Sequence, residues 1–360
     1  MKLFSFFKKS PDILNRLAPY NLPEKDLGQW NEFMRTAQDR EVFRVNPRYL
    51  AKQLDWTEQQ ILDMLTVSVA EELWNLEWNS FCPACGNLVQ SATELRELHS
   101  HQSCEMCGAE ADIQLDQEVV AYASIAENIR RLDSQQRDDA KFRQQVDERL
   151  GRVPSLHLIN RPLFRQILGE QVLPPNQSLG VQNLAIFFSD LKQSTRLYQR
   201  LGDARAYGLV REHFDTVFNA VERHGGSAVK TIGDGVMGTF FDSASALRGV
   251  TESITGLEKV NQREGLSDQD RLRLKVGLHT GACIVVTLNG RLDYFGSTVN
   301  IAARLSDIAQ GGEVILSKAV LADPQAQELV ENMQCDQEQE TALRGVQQPI
   351  EVCRLRPSLT

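Results

Sequence analysis

The sequence predicts an α+β protein, and three observations lead to this prediction. Residues 20–80 carry apolar side chains at near-helical spacing, which predicts a helical region. Residues 82–116 hold two closely spaced cysteine pairs, which predict a small metal-stabilised module. After residue 175, short apolar runs alternate with helical segments, and this alternation predicts a sheet with helices packed against it.

Composition divides the 360 residues into four predicted parts. Residues 1–20 form a tail, and residues 21–126 form the mainly helical region with its zinc-ribbon-like module. Residues 127–180 form a polar helical linker that closes on a Pro-Pro-Asn loop signal. Residues 181–356 form the domain of alternating strands and helices.

Within the last part, the apolar patterns predict individual elements. We expect strands at residues 183–190, 228–230, 235–241, 272–280, 283–288 and 313–317, and helices at residues 194–224 and 300–309.

Composition and charge exclude several classes of protein. The net charge of −9 argues against a general nucleic-acid binder, because phosphate contacts require clustered Lys and Arg. No apolar run approaches the roughly 20 residues of a membrane-spanning helix, so we expect no transmembrane segment. Seven cysteines, an odd number in a chain without an export signal, indicate a reducing compartment. We therefore expect a cytoplasmic protein.

Two aspartates follow apolar runs in a way that suits a cation. Asp190 closes the strand at residues 183–190, and Asp234 lies in a turn between Gly233 and Gly235. Paired carboxylates are suitable ligands for Mg²⁺, which prefers oxygen. Either aspartate taken alone is explained as well by a turn residue or a strand-end cap.

Three segments carry a resemblance to a known family. Residues 188–190, 230–237 and 293–304 resemble the signature segments of class III adenylyl and guanylyl cyclases of bacterial type, in the family's order and spacing. The resemblance covers residues 183–355. It implies a ferredoxin-like catalytic core that works as a homodimer, with active sites at the subunit interface.

The resemblance also implies the metal ligands. Asp190, Asp234 and the carbonyl group of Leu191 match the positions that hold two Mg²⁺ or Mn²⁺ ions in each active site. Many family members have Gly where Gln193 stands and Phe where Ser194 stands, so the geometry of this phosphate loop is an open point.

Lys230 and Asp293 match the family's base-recognition pair. Lysine only donates hydrogen bonds and an ionised aspartate only accepts them, and adenine offers the complementary acceptor and donor. Guanine presents the reverse pattern and would leave polar groups unpaired, at roughly 1–3 kcal/mol each. The pair therefore predicts ATP as substrate and 3′,5′-cyclic AMP and pyrophosphate as products, which makes the protein an adenylate cyclase.

The remaining catalytic roles come from the same resemblance. Asn300 and Arg304 match the residues that orient the ribose and stabilise the reacting phosphate while the 3′-oxygen attacks it. Arg344 is a candidate for holding the terminal phosphates, although a surface arginine is an equal interpretation. We interpret His279 as structural, and His213 and His224 as surface or packing residues.

The two cysteine pairs predict a structural zinc site. Cys82 and Cys85 form one CxxC knuckle, Cys104 and Cys107 form the other, and four thiolates complete a tetrahedral Zn²⁺ site without an open position. His99 and His101 lie between the knuckles and are interpreted as bystanders, although one could replace a cysteine. Cys283, Cys335 and Cys353 lack ligand spacing and are interpreted as free thiols.

A DNA-binding role for this module is disfavoured by charge. Residues 41–120 contain four Lys or Arg and fourteen Asp or Glu, a net of −10. The region resembles an uncharacterised module found upstream of some bacterial cyclase domains. We expect it to bind a regulatory protein or a small-molecule ligand.

Other functions remain as alternatives. A guanylate cyclase is disfavoured by Lys230 and Asp293, and a catalytically inactive nucleotide sensor or scaffold is disfavoured by the presence of both metal-binding aspartates. Diguanylate cyclases share the fold, but their acidic signature is missing after Gly225 and Gly226. No GxxxxGK[ST] segment of a P-loop ATPase occurs in the sequence.

Overall fold

The structure is a computed structural model that describes residues 12–331, 333–336 and 339–357. The predicted tail therefore lies mostly outside the described residues. The chain divides into two compact units. The first runs to Leu179 and includes Thr287–Leu292, and the second comprises Gly180–Val286 and the described residues from Asp293. None of the described helices has the length and apolarity needed to span a membrane.

The first unit begins with four helices. Asn46 caps one of them by accepting hydrogen bonds from two backbone N–H groups, and Thr57 forms a capping box with Gln60 at the start of another. Their bounds are α1 (Asp12–Leu17), α2 (Glu24–Thr36), α3 (Pro47–Leu54) and α4 (Glu58–Ala70).

Five strands follow these helices. A three-stranded antiparallel sheet has the order β2-β1-β5, and β3 and β4 form a separate antiparallel pair. The strands are β1 (Trp74–Phe81), β2 (Leu88–Ala92), β3 (His101–Ser103), β4 (Glu110–Asp112) and β5 (Val119–Ile125). The prediction of helix through residue 80 is therefore wrong at its end. Strand β1 pairs with β5, some forty residues later in the chain, and a local apolar pattern cannot reveal such a pairing.

Aromatic packing holds the helices of the first unit against β1. The ring of Trp30 on α2 stacks on that of Trp74 on β1, with centroids 5.3 Å apart. The indole Nε1 of Trp30 donates to the hydroxyl of Ser68 on α4 at 3.0 Å. Both tryptophans are almost fully buried, so they form the centre of this unit's core.

The stretch predicted as a linker contains three helices: α5 (Ala140–Leu150), α6 (Ser155–Ile159) and α7 (Pro162–Ile167). These helices belong to the first unit. The buried guanidinium of Arg161 donates two hydrogen bonds to Asp63, at 2.8 and 2.6 Å. The side chain of Asn46 donates to Asp147 at 2.9 Å. Polar contacts therefore attach this stretch to α3 and α4.

The second unit is built on a nine-stranded sheet. Its order is β12-β14-β11-β9-β6-β8-β7, with β10 paired to β9 and β13 paired to β14. The strands are β6 (Leu179–Leu191), β7 (Ser227–Ile232), β8 (Gly235–Phe240), β9 (Leu274–Leu288), β10 (Arg291–Phe295), β11 (Glu313–Ser317), β12 (Gln334–Cys335), β13 (Gln339–Thr341) and β14 (Ile350–Arg356). The helices are α8 (Ser194–Leu201), α9 (Asp203–Arg223), α10 (Ser243–Arg263), α11 (Ser297–Ile308) and α12 (Pro324–Glu331).

Helices cover both faces of this sheet. Successive residues of β11 point to opposite faces. Val314 and Leu316 join the core that α9 and α10 cover, whereas Ile315 joins a second cluster with Leu305 of α11. A Cβ on Gly277 of β9 would lie 2.1 Å from a backbone atom of α11, so α11 rests directly on the strand. The mixed composition confirms the predicted α+β class.

Several elements of the second unit differ from the prediction. The helix predicted at residues 194–224 is two helices, α8 and α9, because the chain turns at Gly202, whose φ is +76°. The two strands predicted between residues 272 and 288 are one strand, β9, which continues through Gly281. The long helix α10 was not predicted.

Three glycines provide space for two core phenylalanines. A Cβ on Gly226 or Gly249 would lie 2.4 or 2.5 Å from the ring of Phe240. A Cβ on Gly238 would lie 2.3 Å from the ring of Phe187. Both rings are almost fully buried and cannot move into solvent. The absence of side chains at these positions is therefore a packing requirement.

This packing predicts opposite effects for two glycine-to-alanine changes in helices. Gly249→Ala on α10 should lower the free energy of unfolding, because overpacking costs about 1–3 kcal/mol. Gly208→Ala on α9 is the matched control, because nothing lies within 4 Å of its added methyl group. It should raise stability by up to about 1 kcal/mol through helix propensity. Thermal unfolding of the two variants checks this, and equal melting temperatures would contradict the packing argument.

Candidate active site and cysteine cluster

Two aspartates meet where β6 and β8 pair. The last registered pair is Ser189 with Val236, so Asp190 follows directly on one strand and Asp234 lies in the turn that opens the other. A Cβ on Gly235 would lie 2.5 Å from the carbonyl oxygen of Ser189, which shows how closely the turn approaches β6. The structure therefore brings the two predicted metal-binding aspartates to adjacent strand ends.

The carboxylates differ in their partners. The Oδ2 atom of Asp234 is buried and has no hydrogen-bond donor among the described residues. Asp190 forms an ion pair with the Nζ of Lys275. A buried carboxylate oxygen without a partner is costly unless a cation or donor satisfies it. The donor set therefore fits a divalent cation that prefers oxygen ligands.

Lys275 is a site residue that the sequence analysis missed. It lies on β9 between Leu274 and Val276, which are both buried. Alternation along a strand sends the lysine to the opposite side from these two residues. A polar residue inside a buried alternating run was the available signal, but the pattern could not show that its partner is Asp190.

His213 on α9 contacts the turn that carries Asp234. Its Nε2 lies 3.0 Å from the backbone carbonyl oxygen of Asp234, and the side chain is fully buried. Burial lowers the pKa of His213 to about 4, although the hydrogen bond to Asp234 and the charges of Asp234 and Asp190 act in the opposite direction. The sequence analysis interpreted His213 as a surface or packing residue and therefore missed its hydrogen bond to the backbone of Asp234.

The loop after Asp190 leads into α8. Leu191 is buried, and the backbone N–H of Lys192 donates to the carbonyl of Arg273 at 2.9 Å. Gln193 has a φ of +62°, in the left-handed region that favours glycine. The position thus needs the conformation that glycine adopts most easily, and glutamine adopts it here at a cost. Beside this loop lies a cavity of about 230 Å³, lined by residues 191–194, 197 and 268–273.

The predicted base-recognition residues contact each other. The Nζ of Lys230 on β7 donates to Oδ2 of Asp293 on β10. Asp293 is buried, and its Oδ1 accepts a hydrogen bond from the backbone N–H of Tyr294 at 2.8 Å. The pair presents a donor and an acceptor together.

Asn300 and Arg304 lie one turn apart on α11, and both are exposed. Arg304 donates to Asp307 on the same helix at 2.8 Å. Among the described residues, no hydrogen bond or ion pair joins either of them to Asp190 or Asp234. Within the described part of the chain, these two residues therefore make no direct contact with the metal-binding aspartates.

Two further residues from the sequence analysis are Arg344 and His279. Arg344 is exposed in the turn that precedes Gly345, between β13 and β14. His279 on β9 shares a hydrogen bond with the hydroxyl of Ser317 at 2.6 Å. Burial lowers the pKa of His279 to about 4, so this imidazole is neutral near pH 7.

The four predicted zinc ligands form a compact cluster in the first unit. The Sγ atoms of Cys82, Cys85, Cys104 and Cys107 all lie within 4.8 Å of one another, and two of the distances are 3.7 and 3.6 Å. Four ligands at about 2.3 Å around a tetrahedral zinc ion stand about 3.8 Å apart. The cluster is therefore compatible with zinc. His101 lies outside it and pairs with Asp112.

The two knuckles have the same backbone geometry. The N–H of Gly86 donates to the carbonyl of Cys82, and the N–H of Gly108 donates to that of Cys104, both at 2.8 Å. Both glycines have a φ of +72°. Because this conformation is easily adopted only by glycine, the CxxCG pattern is required by the turn itself.

The thiols of the cluster differ in their hydrogen-bond surroundings. Hydrogen bonds from Asn87 lower the pKa of Cys85 to about 6. For Cys107, the backbone N–H of Ala109 favours the thiolate, but the neighbouring cysteines prevail and raise the pKa to about 12. Four adjacent thiolates repel one another, so full ionisation requires a bound cation.

The interpretation of Cys335 and Cys353 as free thiols is wrong. The two residues form a disulfide between β12 and β14, with Cα atoms 6.5 Å apart. Sequence spacing gave no indication of this pair, because an edge strand returns beside β14 only in the folded sheet. Cys283 is buried on β9 and lies outside this disulfide.

Comparisons with known proteins found matches for two parts of the chain. Residues 177–355 match the family described as the adenylate and guanylate cyclase catalytic domain. Residues 24–147 match a family of unknown function, DUF5939. An adenylate cyclase of Lachancea kluyveri is 30% identical over 167 residues, which are 42% of this chain and 9% of that protein. An uncharacterized protein of Mycobacterium bovis is 35% identical over 158 residues, which are 41% of this chain and 50% of that protein.

Solved structures of cyclases are also similar. The adenylyl cyclase CyaB from P. aeruginosa is 22% identical, with a TM-score of 0.42, over 51% of this chain and 97% of that chain. The guanylyl cyclase Cya2 is 21% identical, with a TM-score of 0.43, over 51% of this chain and 94% of that chain. The chain spans half or less of the length of the curated relatives named above.

The second unit therefore contains a class III cyclase catalytic domain. The chain belongs to the adenylate and guanylate cyclase family through residues 177–355, and residues 24–147 match a second family, which has no assigned function. The predicted family membership is confirmed.

Proposed function

We propose that the protein is an adenylate cyclase that converts ATP to 3′,5′-cyclic AMP and pyrophosphate. The observation that carries this proposal is the contact between Lys230 and Asp293. Adenine can accept a hydrogen bond from the lysine and donate one to the aspartate. Guanine would place its N–H donor against the lysine, which also donates, and its carbonyl acceptor against the aspartate, which also accepts. Both side chains would then be unpaired.

The metal-binding residues of this reaction are Asp190, Asp234 and the carbonyl group of Leu191. Bound Mg²⁺ or Mn²⁺ ions would favour ionisation of the attacking 3′-hydroxyl and neutralise the phosphate charge. The unpartnered Oδ2 of Asp234 supports this role, because a cation would satisfy it. Asp190 would exchange its lysine partner, Lys275, for the cation.

Asn300 and Arg304 would act on the ribose and on the reacting phosphate. Both are hydrogen-bond donors on a helix that rests firmly on the sheet. Such donors stabilise charge that develops in the transition state, and the loss of one typically costs about 10²–10³ in rate. Arg344 remains the candidate for the terminal phosphates.

We propose further that each active site forms between two chains. Asn300 and Arg304 are exposed and have no bond to the metal-binding aspartates of their own chain. Ile232 and Phe295, two residues beyond Lys230 and Asp293, are 53% and 59% exposed. Residues two apart on a strand share a face, so these apolar side chains flank the base-recognition pair. A homodimer would cover them and complete the site.

For the cysteine cluster we propose a structural zinc ion. The support is the distance set, the paired knuckles and the electrostatic need for a cation. Four thiolates leave no position for a substrate, so the ion would stabilise the fold of the first unit.

The zinc proposal predicts about one zinc ion per purified chain. Replacing Cys82 and Cys107 by serine should remove the zinc and lower the melting temperature, because binding energy of the ion contributes to folding. Elemental analysis and thermal unfolding measure both effects. Cys283→Ser is the control and should retain the zinc. Zinc-free protein with an unchanged melting temperature would contradict a structural role.

The base-recognition proposal predicts a change in substrate preference. Purified wild type should turn over ATP in preference to GTP. Lys230→Glu combined with Asp293→Cys should reduce use of ATP and raise relative use of GTP, because the new groups complement guanine. Lys259→Glu, an exposed charge reversal on α10, is the control and should keep the wild-type ratio. The proposal is wrong if the double variant also keeps the wild-type ratio of ATP to GTP turnover.

The shared-site proposal predicts that two inactive variants rescue each other. Asp190→Ala and Asn300→Ala should each inactivate both sites of a homodimer. After free exchange of subunits, each mixed dimer has one site that combines the intact Asp190 with the intact Asn300. If half of the dimers are mixed, roughly a quarter of all sites should regain activity. Cyclic AMP production by the mixture measures the rescue.

Differently tagged subunits establish that exchange has occurred, and each variant mixed with itself is the control. Activity no higher than the sum of the separate variants, after proven exchange, would place both residues in the same chain's site.

A further inference from the structure

A fully buried imidazole interrupts the apolar face of α9. Leu209, Val210 and Val217 lie on this face and belong to the core, and His213 occupies the helical position between them. A buried polar group costs stability unless its hydrogen bonds are satisfied. An apolar side chain would fill this position without that cost, so the histidine requires an explanation in its contacts.

The single hydrogen bond of His213 defines its state. A carbonyl oxygen only accepts, so Nε2 carries the proton that it donates to the backbone of Asp234 at 3.0 Å. The other ring nitrogen, Nδ1, is buried and has no hydrogen-bond partner among the described residues. The imidazole therefore directs its one hydrogen bond to the turn between β7 and β8.

This turn is held from two sides. On one side it lies so close to β6 that a Cβ on Gly235 would be 2.5 Å from the carbonyl oxygen of Ser189, and on the other side His213 donates to the carbonyl oxygen of Asp234 from α9. Among the described residues, the buried Oδ2 of Asp234 has no hydrogen-bond partner, and the side chain forms no ion pair. The backbone of the turn therefore sets the position from which the carboxylate extends.

We infer that His213 is a positioning residue that fixes the Asp234 carboxylate for a divalent cation. The inference rests on the metal-binding role of Asp234 in the proposed function. The imidazole contacts neither substrate nor cation and acts through the backbone of the turn. Its loss should weaken cation binding more than it slows turnover at saturating cation.

The experiment compares three substitutions in the full-length protein. His213→Gln can place an amide N–H near the position of Nε2 and should keep near-wild-type affinity. His213→Asn carries the same amide group but is too short to reach the Asp234 carbonyl. His213→Leu fills the space without a donor. Both of these variants should bind Mn²⁺ about 10-fold more weakly or worse, the usual scale for groups that support a metal ligand.

Mn²⁺ binding is measured directly by electron paramagnetic resonance, and the Mn²⁺ concentration for half-maximal activity is measured beside it. His224→Leu is the control, because this histidine contacts Glu252 and not the turn. Should the leucine variant fail to fold, the comparison of glutamine with asparagine still decides the question, since both carry the same polar group.

Two results would overturn the inference, and they are distinguishable. If Asp234→Ala weakens Mn²⁺ binding but His213→Asn and His213→Leu do not, His213 has no positioning role and the proposed metal site stands. If Asp234→Ala leaves Mn²⁺ binding unchanged, the metal-binding role of Asp234 fails, and the inference about His213 fails with it.

Discussion

The antiparallel register between β6 and β8 places Asp190 and Asp234 at adjacent strand ends. In a sheet, a slip of one residue moves every side chain of a strand to the other face. Such a slip would turn Asp190 away from the turn and remove Phe187 from the space over Gly238 that its ring fills. Core packing and site geometry therefore select the same register. The glycines that admit the two phenylalanine rings stabilise the alignment on which the candidate site depends.

Charge pairing divides the acidic residues of the site into two kinds. Asp190 and Asp293 each have a lysine partner, and the approach of a cation or a base must exchange these pairs for new contacts. The Asp190 carboxylate is partly exposed, and an ion pair of this kind contributes little stability, so its exchange is inexpensive. Asp293 is buried, so a base that displaces Lys230 has to satisfy this carboxylate in its place. Asp234 has no such partner among the described residues. The turn that carries it is instead held by the hydrogen bond from His213 to its main-chain carbonyl group.

The sequence drew attention to residues that the structure brings together, whereas it missed several features of the surrounding structure. Three short segments with polar residues at fixed offsets located Asp190, Asp234, Lys230 and Asp293, and the four cysteines located their own cluster. The contacts of His213 and Lys275, the strand β1 and the disulfide were all missed. Each depends on a partner that is distant in the chain, and a local pattern carries no information about that partner. The roles of the site residues stay predictions, since the geometry shows contacts and not chemistry.

The two candidate metal sites use ligands of opposite character. Thiolates are soft ligands that favour zinc, whereas carboxylate and carbonyl oxygens are hard ligands that favour magnesium or manganese. This difference matters because zinc also binds carboxylates and, at a given oxygen site, generally binds more tightly than manganese. A preformed cluster of four sulfurs binds zinc far more tightly than three oxygens at a strand end can. At limiting zinc, the cysteine cluster would therefore take the ion first and leave the oxygen ligands to the more abundant hard cations.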